Sequence, residues 1–420
     1  MTANIYIGPD GPQAGEIDIQ QKDQFSKRGH ETIERKGIGH PDTIADRLAS
    51  QISRSYANYT VENCDGYILH HQVDKLMIIG GASSVTWGAG EFTEPIKIIV
   101  AGRATRSYLG ESIPVQEIVE QTIKSYFKEN LPLVDTEEDI VIQQELTTNA
   151  GPGTIHSSQG AIADMFSPVE EGSIRGYEKV VANDTSYCVS HAPLSPLERA
   201  VIDAEQYLTS EETQQSHPWL GTDIKIMAVR NDDDIGVTVC IPQIARYVDS
   251  LSKYQENLRT ITDELVNFFE EIPDAESVDI SVNTKDDYEK NNVYLTVAGS
   301  SLAGDIGTVG RGNRPNGVIT SNRPMSLEGT NGKNPRYYSG FIYAILTKQL
   351  SQALHDEFER EVVAEIVSQN GGDLLDPWKT TIKMKHDPEE EERINQIVKN
   401  HLEGIHGITD EFLNGEITAW

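Results

Sequence analysis

The sequence predicts an α+β fold of three similar units, each a strand hairpin followed by a helix, with every sheet covered by helices on one face. Three observations in the 420-residue chain predict it. Apolar residues alternate with others in paired runs, the period of a half-buried strand. Elsewhere they step by three and four, the stripe of a helix that buries one side. The order of these two patterns recurs three times, although the units share almost no identity.

The first unit is expected within residues 28–160. Its segments "KLMIIGG" and "PIKIIVAGR" read as strands, and Val115, Ile118, Val119, Ile123 and Phe127 follow at helical spacing. The second is expected within 176–272. There Ile224, Ile226 and Ala228 alternate, "RNDDD" turns, and Ile235, Val237, Val239 and Ile241 alternate. Leu251, Tyr254, Leu258, Ile261, Leu265 and Phe268 then form a helical stripe. The third is expected within 273–420. Val278, Ile280 and Val282 predict one strand and Val293, Leu295 and Val297 its hairpin partner across "TKDDYEKNN". A helix from about Arg336 through "FIYAILTKQLSQALHDEF" follows a Gly-rich segment.

Composition narrows the function. The chain has 66 acidic against 35 basic residues, a formal charge of -31. Such a surface repels nucleic acid and anionic membranes, so neither is an expected partner. An anionic ligand would need its basic contacts gathered in one pocket. The first residues show neither the basic start nor the apolar core of a secretory signal. Cys64, Cys188 and Cys240 lie far apart, without disulfide or zinc spacing, as fits a cytoplasmic protein.

Two segments carry candidate chemistry. In "ERKGIGHPDTIAD", Gly37 and Gly39 let the backbone approach a neighbour. Pro41 and Asp42 open a helix, where a missing N–H costs nothing and a carboxylate is favoured. The stretch reads either as a capped helix with an incidental His40 or as a wall of a polyphosphate and metal site. In residues 303–335, glycines accompany Asp305, Arg311, Arg314, Arg323 and Lys333. Exposed backbone N–H groups and forked guanidinium donors suit phosphate oxygens, and Asp305 among these cations suits Mg2+. An ordered loop with internal ion pairs is the alternative. "NGKNP" lacks the hydroxyl residue and spacing of a Walker A loop, and "GRGNRPNG" lacks Rossmann context.

Weaker signals lie elsewhere. Asp223 and Lys225 share one strand face, a surface position unless that face lines a pocket. Asn183 and Asp184 read as an Asx turn or a polar contact. Gly151 and Gly153 mark a tight turn or a nucleotide contact. His70 and His71 are adjacent on a strand, so they face opposite ways and do not share one metal ion with Asp74.

Together, "ERKGIGHPDTIAD", "VANDTSY…HAPLS", "DIKIMAVR", "GDIGTVGRGNRPNG", "ITSNRPMS" and "GKNP" resemble the archaeal type of the S-adenosylmethionine synthetase (methionine adenosyltransferase) family. The resemblance runs from about residue 28 to the C-terminus. It implies three α+β units about a pseudo-threefold axis, and a homodimer with active sites between the chains. It also implies ATP and L-methionine as substrates, S-adenosylmethionine, phosphate and pyrophosphate as products, and Mg2+ with a monovalent cation such as K+. By resemblance, His40, Lys225, Arg311 and Lys333 are catalytic contacts to the triphosphate. Asp42 and Asp305 are the metal ligands, and Gly151, Gly153, Asp184 and Asp223 belong to the ATP site.

The chain departs from the family pattern in several loops. Gln72-Val73-Asp74 stands where the family has Asn-Thr-Asp, and His156 and Ile306 stand where it has Asp. Gly329-Thr330-Asn331 precedes "GKNP", Phe341 replaces a Lys, and Arg336 is added. These changes leave two other readings open: a related adenosyl-transferring or triphosphate-cleaving enzyme with another acceptor, and a non-catalytic ATP-binding subunit.

Overall fold

The computed structural model describes residues 15–22, 29–148, 168 and 180–418. Three principal sheets order the fold. The N-terminal sheet runs Ile306–Thr308, His71–Ile79, Ile96–Ala104, Ile140–Thr147. The central sheet runs Ile319–Thr320, His30–Lys36, Lys225–Asn231, Asp234–Cys240, Ser277–Val282. The C-terminal sheet runs Tyr187–Ala192, Val362–Val367, Lys379–Met384, Glu16–Gln21.

The three share one pairing pattern. In each, a strand from elsewhere in the chain pairs antiparallel with the first arm of a hairpin, the hairpin closes antiparallel, and an outer strand adds in parallel; the central sheet alone extends beyond the first of these, with Ile319–Thr320 against His30–Lys36. The expected α+β class is present, with strands that interleave along the chain. The strand His30–Lys36 enters the central sheet, Ile306–Thr308 the N-terminal sheet, and Tyr187–Ala192 the C-terminal sheet.

Each sheet buries one face under helices. The helices α1 (Pro41–Asn63) and α2 (Val115–Asn130) cover the N-terminal sheet, where Ile44, Leu48, Val119 and Phe127 pack on Leu76, Ile78 and Ile98. The helix α3 (Pro196–Thr209), followed by the short α4 (Glu211–Ser216), lies with α5 (Leu251–Glu270) against the central sheet. Tyr254, Leu258, Ile261, Leu265 and Phe269 form the buried stripe of α5. Full burial of such a Leu, Ile or Phe is worth about 1.5–3 kcal/mol. The helices α6 (Ser339–Phe358), α7 (Glu391–Glu403) and α8 (Ile405–Leu413) complete the C-terminal core. No helix among the described residues is long and apolar enough to cross a membrane.

The other sheet faces are more open. Along Asp234–Cys240, Ile235, Val237 and Val239 are buried while Asp234, Gly236, Thr238 and Cys240 are exposed. On the N-terminal sheet, Met77 is 39% and Val141 47% exposed.

The third expected hairpin requires correction. Ser277–Val282 is a strand, but it pairs in parallel with Asp234–Cys240. Leu295–Thr296 pairs instead with Gln243–Ile244. The connecting segment is fastened elsewhere: Asp286 accepts the Tyr254 hydroxyl at 2.7 Å and the Tyr294 N–H at 3.1 Å. Those bonds tie it to α5 and hold it away from a return beside Ser277–Val282. The hairpin of the C-terminal sheet is Val362–Val367 with Lys379–Met384, downstream of α6.

Candidate active site

A cavity of about 470 Å3 lies beside the start of α1, lined by His40, Asp223, Lys225, Tyr294, Ser301 and Asp305 among others. The sequence places these residues there through three local devices. The strand Lys225–Asn231 pairs with His30–Lys36, so the chain leaving that strand reaches the mouth of the cavity at Gly37–His40. Gly39 is required at this crossing, because a Cβ there would lie 2.2 Å from Thr222 Oγ1. His40 then becomes the N-cap of α1, with Pro41 in its first turn.

The third device is the Gly-rich segment after residue 303, which lies against α1. A Cβ on Gly307 would lie 2.1 Å from the Pro41 carbonyl oxygen, and one on Gly312 would lie 2.3 Å from Asp46 Oδ2. Asp46 accepts the Gly310 and Gly312 N–H groups at 2.8 and 3.0 Å. Burial pushes its carboxyl up to about 6. Asp42, one turn earlier, accepts the Thr308 N–H at 3.0 Å. Two carboxylates four residues apart on α1 therefore hold the loop that presents Asp305.

His40 is polarised by its own helix. Its Nδ1 accepts the Asp42 N–H at 3.1 Å, so the ring proton resides on Nε2. Burial lowers its pKa from 6.5, partly offset by Asp223 and Asp42. The Asp42 carboxylate lies 3.9 Å from Nδ1, too far for a hydrogen bond. The ring is a neutral donor at neutral pH. Asp223 is buried and fixed: one oxygen accepts the Tyr294 hydroxyl at 3.0 Å, the Ser301 N–H at 2.9 Å and the Ser301 hydroxyl. Lys225 is half-exposed, with Glu34 at 3.5 Å.

The metal candidates stand in different settings. Asp305 is exposed and one oxygen accepts the Ile306 N–H at 2.8 Å. Asp42 is buried, with Lys36 Nζ at 2.8 Å. Each carboxylate keeps acceptor capacity beyond these bonds. No group of three His, Cys, Asp or Glu able to close around a metal occurs among the described residues. This donor set fits Mg2+, which takes one or two carboxylates and fills its shell with phosphate oxygens and water.

Lys333 and Asp184 belong to a second cluster. Lys333 Nζ lies 3.5 Å from Asp74 Oδ2 and 4.2 Å from the centre of the Tyr338 ring. Glu328 joins it: burial pushes its carboxyl up, Lys333 draws it down and Asp184 raises it. Asp74 is buried, and its Oδ1 has no hydrogen-bond partner among the described residues. Asn183 accepts the Ser339 N–H at 3.1 Å and so caps α6 from a distance. Arg311 is exposed on the loop, and its carbonyl accepts Lys36 Nζ at 2.7 Å. Gly151, Gly153 and His156 lie outside the described residues.

Other cations of the Gly-rich segment have structural partners. Arg323 donates to both oxygens of buried Glu198 at 3.0 and 2.8 Å, and Arg314 donates to the Gly310 carbonyl. His70 meets the Tyr337 hydroxyl and His71 meets Ser53, each at 2.8 Å, so the two rings face different partners. Phe341 packs edge-on against Phe412 in the C-terminal core. Ile306 is 54% exposed on the edge strand beside the cavity.

Sequence reasoning did not single out Lys36, Tyr294, Ser301 or Glu328. Lys36 had a signal, a cation six residues before Asp42 in the same quoted loop. Tyr294 and Ser301 reach Asp223 from about seventy residues away, which no local pattern reveals.

Comparison with known proteins identifies relatives of the chain. The family model for S-adenosylmethionine synthetase (AdoMet synthetase) matches residues 16–416. The chain is 34% identical over 398 residues to the S-adenosylmethionine synthase of Natronomonas pharaonis, covering 93% of this chain and 95% of that one. It is 37% identical over 404 residues to that of Aeropyrum pernix, covering 93% and 95%. It is 35% identical over 425 residues to that of Haloarcula marismortui, covering 99% of each. Among solved structures, an unusual S-adenosylmethionine synthetase from Campylobacter jejuni shares the fold with a TM-score of 0.53 at 15% identity, over 91% of this chain and 88% of that one.

Proposed function

The chain belongs to the S-adenosylmethionine synthetase family, and on that premise we propose that it is a methionine adenosyltransferase acting at the cavity beside His40. The methionine thioether would attack C5′ of ATP, the C5′–O bond would break, and the whole triphosphate would leave. Water would then divide the triphosphate into phosphate and pyrophosphate. The observation that carries the reading is the conjunction, in one cavity, of a neutral Nε2–H donor on His40, the Lys225 ammonium and the Asp305 carboxylate.

These groups suit a departing triphosphate. Donors fixed before the reaction stabilise charge as it grows, without reorganisation. His40 would donate Nε2–H to the oxygen that leaves C5′, and Lys225 would meet the phosphates. Asp305 and Asp42 would hold Mg2+, which would spread the triphosphate charge. Asp223 would anchor the nucleoside side through the Tyr294–Ser301 bonds. A monovalent cation such as K+ remains part of the reading by resemblance.

Asp42, Lys333, Asp184 and Arg311 lie outside the cavity lining; Asp42 is 3.9 Å from the His40 ring, and we assign the other three to a site completed across a homodimer. The exposed apolar side chains Met77, Val141 and Ile306 on the N-terminal sheet support pairing through the uncovered faces. Three sheets with one pairing pattern support the pseudo-threefold arrangement, and the spans 28–160, 176–272 and 273–420 approximate the units, with strands exchanged among them.

The test is mass spectrometry of products from purified protein, ATP and Mg2+, with and without L-methionine. S-Adenosylmethionine formed only with methionine supports the assignment. Triphosphate breakdown without that product would replace it with a different acceptor or a hydrolase.

A further inference from the structure

A second cavity, of about 580 Å3, opens where α1, α3 and α6 converge, and it shares no lining residue with the first. Among the described residues its charged lining is Arg35, Arg47, Arg199 and Lys348 against one carboxylate, Glu205. That balance runs against the composition, since the chain carries 66 acidic and 35 basic residues. Glu205 is buried and pairs with Arg35 at 2.7 Å, so the carboxylate inside the cavity is already engaged. Arg199 and Lys348 are exposed at the rim and have no ion-pair partner among the described residues. The two exposed cations, Arg199 and Lys348, beside the guanidinium groups of Arg35 and Arg47 are placed for an anion that arrives from solution.

The strand His30–Lys36 divides this cavity from the first. Alternate side chains point to opposite faces. Glu34 and Lys36 turn toward Lys225 and Asp42, whereas Arg35 turns to Glu205 on α3. The floor is rigid: Asn316 bonds both the N–H and the carbonyl of His191, at 3.3 and 2.8 Å. Gly317 closes it, at φ +90°, with space for a Cβ limited by Arg35 Nη1 at 3.2 Å. The volume falls in the range of small-molecule sites, about 300–1,000 Å3.

We propose that this cavity binds a small polyphosphate-bearing anion at a site distinct from the triphosphate site beside His40. Several phosphate oxygens suit several cations spread around one cavity, and guanidinium forks match them bidentately. The source is either inorganic polyphosphate or a nucleotide.

Isothermal titration of the full chain with inorganic tripolyphosphate, at roughly 0.15 M salt to screen diffuse attraction, tests this. The double variant Arg199→Gln/Lys348→Gln should lose one class of binding, weakened about tenfold or more, while ATP turnover is retained. Both side chains are exposed, so an unchanged urea midpoint should show that the variant folds. Loss of that class carries the proposal whatever the reaction at His40 proves to be. An isotherm identical to that of the unsubstituted chain would overturn it. Titration with ATP in place of tripolyphosphate separates the sources: the tighter of the two names the ligand.

Discussion

His40 Nδ1 accepts the backbone N–H of Asp42 at 3.1 Å, which leaves the ring neutral with its proton on Nε2. The helix thus fixes which nitrogen can donate into the cavity. A donor of this kind acts on charge that appears in the transition state, so its loss should fall on turnover. His40→Ala is expected to lower kcat by about 10²–10³ while changing the ATP dissociation constant by only about threefold. Equal losses in kcat and ATP affinity, read by steady-state kinetics and equilibrium binding, would contradict the role.

Asp305 faces the cavity with one oxygen engaged by a backbone N–H. Asp305→Asn removes the charge and keeps the shape. The Mg2+ concentration for half-maximal turnover should rise about tenfold or more. An unchanged Mg2+ titration would remove Asp305 from the ligand set.

Asp46 links protonation to stability. Its folded pKa, about 6, exceeds the ordinary 3.8. The folded state therefore holds the proton more tightly, and this stabilisation is full at low pH and lost as pH rises through 6. Between about pH 4.5 and 7 it should amount to about 2 kcal/mol. His40, with a lowered pKa, contributes in the opposite sense, and its part is lost as pH falls. The stability of the parent chain minus that of Asp46→Asn, from urea unfolding, should fall by that amount as pH rises over the same range. A constant gap would mean that Asp46 is ionised throughout.

The buried pair of Arg323 with Glu198 carries a structural load. Glu198 also closes the capping box of α3 with Ser195. Although burial opposes ionisation, His191 and Arg323 hold its carboxyl down at about 2. Arg323→Leu would leave that charge buried without its partner, at a cost of about 3–5 kcal/mol. A urea midpoint within error of the parent would contradict this.

If two chains pair through the open sheet faces as proposed, Met77→Asp/Val141→Asp should yield a folded monomer. Light scattering coupled to size exclusion reads the mass, and turnover should fall with it. A dimer that persists with full activity would place the interface elsewhere.

The residues differ in how plainly the sequence announces them. The α5 stripe and the Lys225–Asn231 and Asp234–Cys240 hairpin follow from local periodicity, because each buries one face against a single neighbour. The helix start at Pro41 and Asp42 was legible because its signals are local, whereas the capping role of His40 was not read from the sequence. Interleaving of the units was expected, but the particular pairings were hidden, because parallel partners such as Asp234–Cys240 and Ser277–Val282 are joined through a whole helix. Arg323 and Arg314 share the composition of phosphate ligands with Arg311, and only the fold shows which carboxylate or carbonyl lies opposite. Lys36 and Arg35 are adjacent, yet the pleat sends one to Asp42 and the other to Glu205.

The most direct test of the central claim is phosphorus NMR of the purified protein turning over ATP and Mg2+. Phosphate and pyrophosphate should appear in equal amounts, only with L-methionine present, and match the S-adenosylmethionine formed. Accumulation of ADP, or release of phosphate without the sulfonium product, would contradict it.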